Sequence, residues 1–204
     1  LTFTLKNYLF IGNGLKNKLF GGDFATIING KINKVYGVNS VIVGGSGNTI
    51  NFVSSTAPFN SPSYYSSIVN GVFNAINADY SQILNGVSNN IFNNTNPLVN
   101  TYSYFSTIIN GKNNISKGGY STIINGKNNY LNSSASLGQV YNIIGSGSNN
   151  RIVSGSSVVI LNGAGNFSHN SFSTILNGIL NTATTNYSFI ANGTGNSITS
   201  FAER

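Results

Sequence analysis

At 204 residues the chain is long enough for a substantial core, yet only 6% of it is charged, and the net charge of +7 rests on ten basic residues against three acidic ones, Asp23, Asp79 and Glu203. So few carboxylates argue against an enzyme built on clustered acids, and without cysteine there is no disulfide framework and no thiolate metal site. No apolar run approaches the ~18 residues of a membrane-spanning helix, so direct membrane insertion is not expected and solubility has to come from Asn, Ser and Thr. The chain begins at Leu1 and contains no Met, as expected of a processed product or a portion of a longer polypeptide.

One unit recurs along the whole chain, clearest as YSTIINGKNN at Tyr120 to Asn129. Aligned on the Gly of its Asn-Gly pair, eleven copies centre on Gly14, Gly30, Gly45, Gly71, Gly86, Gly111, Gly126, Ser146, Gly163, Gly178 and Gly193. A repeat of this length predicts an all-β fold, a β-solenoid (β-roll) of eleven coils of about 15 residues in a single domain over 1–204. In each coil the five residues before Asn-Gly, rich in β-branched and aromatic types, predict a strand. Asn-Gly then supplies a tight turn, and a shorter strand follows, carrying Val35, Ile50, Ile76, Ile91, Leu131 or Ile198. Insertions interrupt the period at 51–64, 92–104 and 132–136; the first two hold all three prolines, Pro58, Pro62 and Pro97. Proline cannot donate to a strand ladder, so these segments are expected to leave the stack.

Three residues before each centre stands an Ile, predicted to fill the coil: Ile27, Ile42, Ile68, Ile83, Ile108, Ile123, Ile143, Ile160, Ile175 and Ile190, after the irregular first copy at Ile11. Small residues two places earlier, such as Ser40, Ser66 and Ser121, suit the same interior face. Three residues after each centre stands an Asn, and after Asn17 these are Asn33, Asn48, Asn74, Asn89, Asn114, Asn129, Asn149, Asn166, Asn181 and Asn196. They predict a ladder in which each short amide bonds the turn backbone of its own coil or the matching Asn of the next.

A second apolar residue follows the Ile in nearly every coil, Ile109 and Ile124 among them, and four residues before it stand Phe24, Tyr65, Tyr80, Phe105, Tyr120, Phe172 and Tyr187. A period of two places both sets on the strand face opposite the core Ile. The result is an apolar stripe along the rod, larger than monomers leave in water. Burial against copies of the same chain is expected, as a closed homotrimer or a filament.

The segment SVIVGGSGNTI, Ser40 to Ile50, resembles the S-x-A-I-G repeat of the head domains of trimeric autotransporter adhesins, which also occurs in fibre proteins of phages and large viruses. The likeness runs over essentially the whole chain, although the small Ala of that family is Ile in every copy here. It implies a left-handed β-roll, three chains packed about a common axis, and a rigid extracellular, cell-surface or virion-surface fibre segment; it carries over no particular ligand, and a host-surface glycan or protein is the partner class expected at the loops.

Other chemistry finds little footing. Asp23 and Asp79 are several coils apart, His169 stands alone, and GGSGN at Gly44 to Asn48 lacks the Asp of a calcium-binding repeat. No cofactor, metal or nucleic acid is implied. Thr26, Thr107, Thr122 and Thr174 share a position, but Ser67, Gln82, Asn142, Val159 and Phe189 interrupt it, so there is no unbroken ice-binding array. The expected recognition elements are the loops 51–64 and 92–104, with Tyr64, Tyr102 and Tyr104 as candidate ligand contacts.

Overall fold

The structure, a computed structural model, describes residues 8–20, 23–53, 61–62, 64–92, 105–132 and 141–199. It is an all-β solenoid of eleven coils whose strands form two parallel sheets of eleven strands each. The first sheet runs from Phe10–Ile11 to Phe189–Ile190 and the second from Lys18–Leu19 to Ser197–Ile198, the chain alternating between them at every step. At about 4.8 Å per coil, the stack is a rod on the order of 50 Å long.

With the central Gly of each coil as position zero, the strands are shorter than the five-residue apolar run suggests. The first covers positions −4 and −3, as in Thr26–Ile27, and the second +4 and +5, as in Lys34–Val35. Each pairs in register with its counterpart in the next coil, Ile27 beside Ile42 and Val35 beside Ile50. Period two then turns −3 and +5 inward. Ile27, Ile42, Ile68, Ile83, Ile108, Ile123, Ile160 and Ile175 are fully buried and Ile190 nearly so, facing Val35, Ile50, Ile76, Ile91, Leu131 and Ile152. Ile11, in the first coil, is exposed.

The two corners joining the sheets require a reversal of hydrogen bonding. Along the strands each backbone N–H donates to the following coil, as Thr26 does to Ser40. At positions +2 and −6 the chain enters the left-handed region, with φ near +50 to +59° at Lys16, Ile32, Phe73 and Asn128 and at Phe24, Tyr80, Phe105 and Tyr187. There the N–H points back to the preceding coil, Phe73 to Ser46 and Tyr80 to Tyr64. The central Gly is required twice over. Gly126 has φ 117°, and a Cβ on it would lie 2.1 Å from the carbonyl oxygen of Gly147 in the next coil.

Beside that Gly runs the asparagine column. Asn129 Oδ1 accepts the backbone N–H of Asn150 at 3.0 Å, and its Nδ2 donates to the Gly147 carbonyl at 3.0 Å. The same two bonds link Asn33 to the next coil through Asn48 N–H and Gly45 O, and Asn114 through Asn129 N–H and Gly126 O. Asn48, Asn74, Asn89, Asn166 and Asn181 lie buried in this column, which ends at Asn196. The side chain therefore bonds the backbone of the neighbouring coil far more than the neighbouring amide.

The eighth coil corrects the sequence register by one residue. Ser121 pairs with Asn142, Thr122 with Ile143 and Ile123 with Ile144, so Ile144 fills the core while Ile143 faces outward. Its centre is Gly147, with φ 99°, not Ser146, and the column runs through buried Asn150 while Asn149 is exposed at the left-handed corner. Both Ile143-Ile144 and Asn149-Asn150 are doubled, so either register satisfies the Ile and Asn pattern. Only Gly147 can take the backbone and the close approach that the centre requires.

The insertions all occur at one corner, between position +6 and the start of the following coil, after Asn51, Phe92 and Asn132. Beside the stack Phe52–Val53 pairs antiparallel with Ser61–Pro62, so Pro62 lies in a small separate hairpin. Most of 51–64, nearly all of 92–104 and, but for Asn132, all of 132–136 lie outside the described residues.

Two tests follow from this packing. Asn150→Ala orphans the buried Asn166 N–H and removes the second of two donors to the Gly163 carbonyl, which keeps its bond from the Ser148 N–H, and should cost about 2–3 kcal/mol, whereas Asn149→Ala, which loses only an exposed bond from Asn128 and the tolerance of Asn for left-handed backbone, should cost about 1 kcal/mol; urea midpoints compare the two. At position +5, Ser116 and Ser168 carry buried hydroxyls with no hydrogen-bond partner. Ser116→Ala should therefore gain about 1 kcal/mol in the same assay.

Candidate functional site

The corner at positions −7 and −6 carries, at −6, aromatic residues held in an unfavourable backbone. A left-handed φ is an outlier for bulky side chains and costs about 1–2 kcal/mol each, and Asn39 and Ser157 occupy the same position in their own coils. The aromatics are therefore corner residues and not members of the strand, as the period of two implies. Their rings stack coil upon coil: Tyr65 on Tyr80 at 5.2 Å, Tyr80 on Phe105 at 5.2 Å, Phe105 on Tyr120 at 5.3 Å, and Phe172 on Tyr187 at 5.0 Å. The row gains two members that the sequence reading omits. Tyr8 stacks on Phe24 at 5.0 Å, and Tyr141 continues from Tyr120 at 5.3 Å. Tyr141 is legible once the eighth coil centres on Gly147, and Tyr8 stands at the same distance from Gly14.

Stacking stabilises each ring pair by about 0.5–1.5 kcal/mol, roughly offsetting the backbone cost, yet the rings remain open to solvent. Exposure runs from 41% at Tyr80 to 76% at Tyr187, with Tyr120 half-buried. Position −2 adds an exposed aliphatic row on the outer face of the first sheet: Ile28, Val43, Val69, Leu84, Ile109, Ile124 and Leu161. Ile144, read from sequence as part of this row, is replaced in it by Gly145. Position −4 between them reads Thr26, Val41, Ser67, Gln82, Thr107, Thr122, Ile143, Val159, Thr174 and Phe189. The interrupting residue of the eighth coil is Ile143, and Asn142 is buried. Among the described residues no charged side chain belongs to these two rows.

Charge makes the second sheet different. Lys6 and Arg204 lie outside the described residues, and the other eight basic residues all fall at +1, +2, +4 or +6. These are the outer face of the second sheet and its adjoining corner. Asp23 and Asp79, by contrast, both stand at −7. Lys117 Nζ lies 5.7 Å from the ring centre of Phe92 and 5.8 Å from that of Tyr130, and the Arg151 guanidinium 5.3 Å from Tyr130. His169 is exposed on this side, its ring 6.3 Å from that of Phe167. Among the described residues no cluster of three or more His, Cys, Asp or Glu could hold a metal ion.

Tyr64 belongs to the stack itself, although the sequence reading puts it in the first loop. It stands at −7, bridged to Val38, and its backbone N–H donates to the Asp79 carboxylate at 2.9 Å. Tyr102 and Tyr104 lie outside the described residues. An open groove also follows the Gly spine of the last coils, lined by Asn162, Gly163, Asn177, Gly178 and Asn192. The chain matches no protein-family model, and no curated protein is significantly similar to it. What it does therefore rests on the chemistry of its two faces.

Asp79 is a structural cap at this corner, a role that Asn186 takes for the Ser171 N–H at 3.0 Å. Burial pushes its carboxyl above the ordinary value of 3.8, and the hydrogen bond from Tyr64 opposes this. With the folded-state value raised, the stability tied to the protonated form is fully present below the ordinary value and is lost as pH rises through the folded one. Asp79→Asn should accordingly raise Tm at neutral pH and leave it nearly unchanged at a pH of about 3, a difference that thermal melts at the two pH values measure.

Proposed function

We propose that this chain is a rigid structural segment of a surface fibre, extracellular or on a virion, whose rods associate side by side as a homotrimer. The observation that carries the reading is the row of solvent-facing stacked aromatics, unbroken over five coils, beside an uncharged aliphatic face. Five consecutive coils place a ring at a corner where a smaller residue, as at Asn39, meets the same backbone requirement. Ring stacking along one chain does not by itself favour this arrangement over Asn. Burial of the ring faces and the adjacent aliphatic row against other rods does, at about 25 cal/mol per Å² of apolar surface removed from water. A closed ring of three rods covers that face without leaving it exposed to further addition.

Light scattering over a dilution series tests this. A stable mass of three times 21.5 kDa is expected, and the variant Tyr80→Asn/Phe105→Asn/Tyr120→Asn, which keeps a residue tolerant of left-handed φ at each corner, should run as a monomer with an unchanged β-sheet circular dichroism spectrum. A monomeric wild-type chain, or a triple variant that still assembles, would overturn the proposal.

A further inference from the structure

We propose that the outer face of the second sheet, with its adjoining corner, is a binding face for a linear acidic polysaccharide. This names a ligand class for the fibre described above, and it rests on that reading only in needing the second sheet to face solvent.

Among the described residues, like charges stand side by side on this face with no carboxylate between them. Lys18 and Lys34 are direct partners on adjacent strands, and Lys112 and Lys127 are paired in the same way at the corner. Like charges placed opposite one another on neighbouring strands are destabilising. The two described carboxylates stand at another corner, and Asp79 there is engaged with Tyr64. An anionic chain lying across the strands, with negative groups that meet the first two coils and again the sixth and seventh, would neutralise both pairs at once.

Two rings on this face, Phe92 and Tyr130, hold cations in place, while Phe20 and Tyr36 cover one another by stacking at 4.3 Å. Lys117 and Arg151 lie over the face of Tyr130, a cation–π arrangement that fixes long side chains which would otherwise lose freedom on binding. Rings used in this way present cations to a ligand and do not offer a free face for a base to stack on, as single-stranded nucleic acid requires. Duplex nucleic acid carries a charge about every 1.7 Å of axis, whereas here the basic residues fall in the first and second coils and again in the sixth to eighth, with no basic residue in the coils between them. Sparse anions on a hydroxyl-rich chain match such a face better, and the intervening coils present the uncharged Thr49 and Asn90 to it.

Two acidic probes separate the sources of negative charge: a heparin octasaccharide, carrying sulfates, and a hyaluronan octasaccharide, carrying carboxylates only. Titration calorimetry at about 50 mM salt should detect binding of at least one, weakening as salt rises, with neutral dextran inert. Lys117→Gln/Arg151→Gln should lower the affinity about tenfold and flatten the salt dependence by about one unit per charge removed, while leaving the oligomer mass unchanged. Binding expressed per chain should persist in the Tyr80→Asn/Phe105→Asn/Tyr120→Asn variant whatever its mass, so failure of the assembly reading and failure of this one are distinguishable. Absence of binding to both probes, indifference to the double substitution, or tighter binding of an oligodeoxynucleotide of equal charge would overturn the assignment.

Discussion

The bond on which this architecture depends is the one between each buried Asn at position +3 and the backbone of the next coil. One amide satisfies a donor and an acceptor in its neighbour, Asn129 capping Asn150 N–H and Gly147 O. The N–H would otherwise be buried without a partner, at about 1–3 kcal/mol, while the carbonyl, which already accepts the Lys127 N–H, gains a second donor. Because the contact passes from side chain to backbone, it couples coils without asking the side chains of adjacent coils to match. The rest of the coil is then free to vary: the interior at +5 runs from Ile and Leu to Ser and Ala, and the exterior changes chemistry from one sheet to the other.

Much of this is legible in the sequence because the constraint is chemical as well as periodic. An Ile at −3, a Gly at the centre and an Asn at +3 each answer a separate demand, and together they specify the stack and its core. The eighth coil shows where the pattern misleads: doubled Ile and doubled Asn leave two registers open, and the choice falls to the close approach at Gly147, a three-dimensional fact. The aromatic corner misleads for a related reason. A period of two assumes that the strand continues through Phe24 or Tyr80, whereas the backbone there is left-handed and the strand begins two residues later. Bulky residues are poor predictors of that conformation, so nothing local in the sequence announces it. The charge segregation needs only the corrected register, since position relative to the centre places every described Lys and Arg on one flank.

The two faces divide the work of a fibre between them. A ring-lined flank without basic side chains is suited to permanent contact with its own kind, where apolar area counts and mismatched charge is penalised. A cationic flank is suited to reversible contact whose strength follows ionic conditions. Their separation on opposite sheets lets one rod do both without conflict.

The insertions also gain meaning from the Asn column. All three leave the stack at the corner farthest from it, after the third, fifth and seventh coils, while the turn that carries the column keeps the same length in every coil. The molecule is bound like a book, with a stitched spine along one edge and pages free to extend from the other. Segments added at that free edge would sit two coils apart, at intervals of about 10 Å, so the solenoid acts as a ruler on which foreign peptides could be mounted at chosen marks without disturbing the binding.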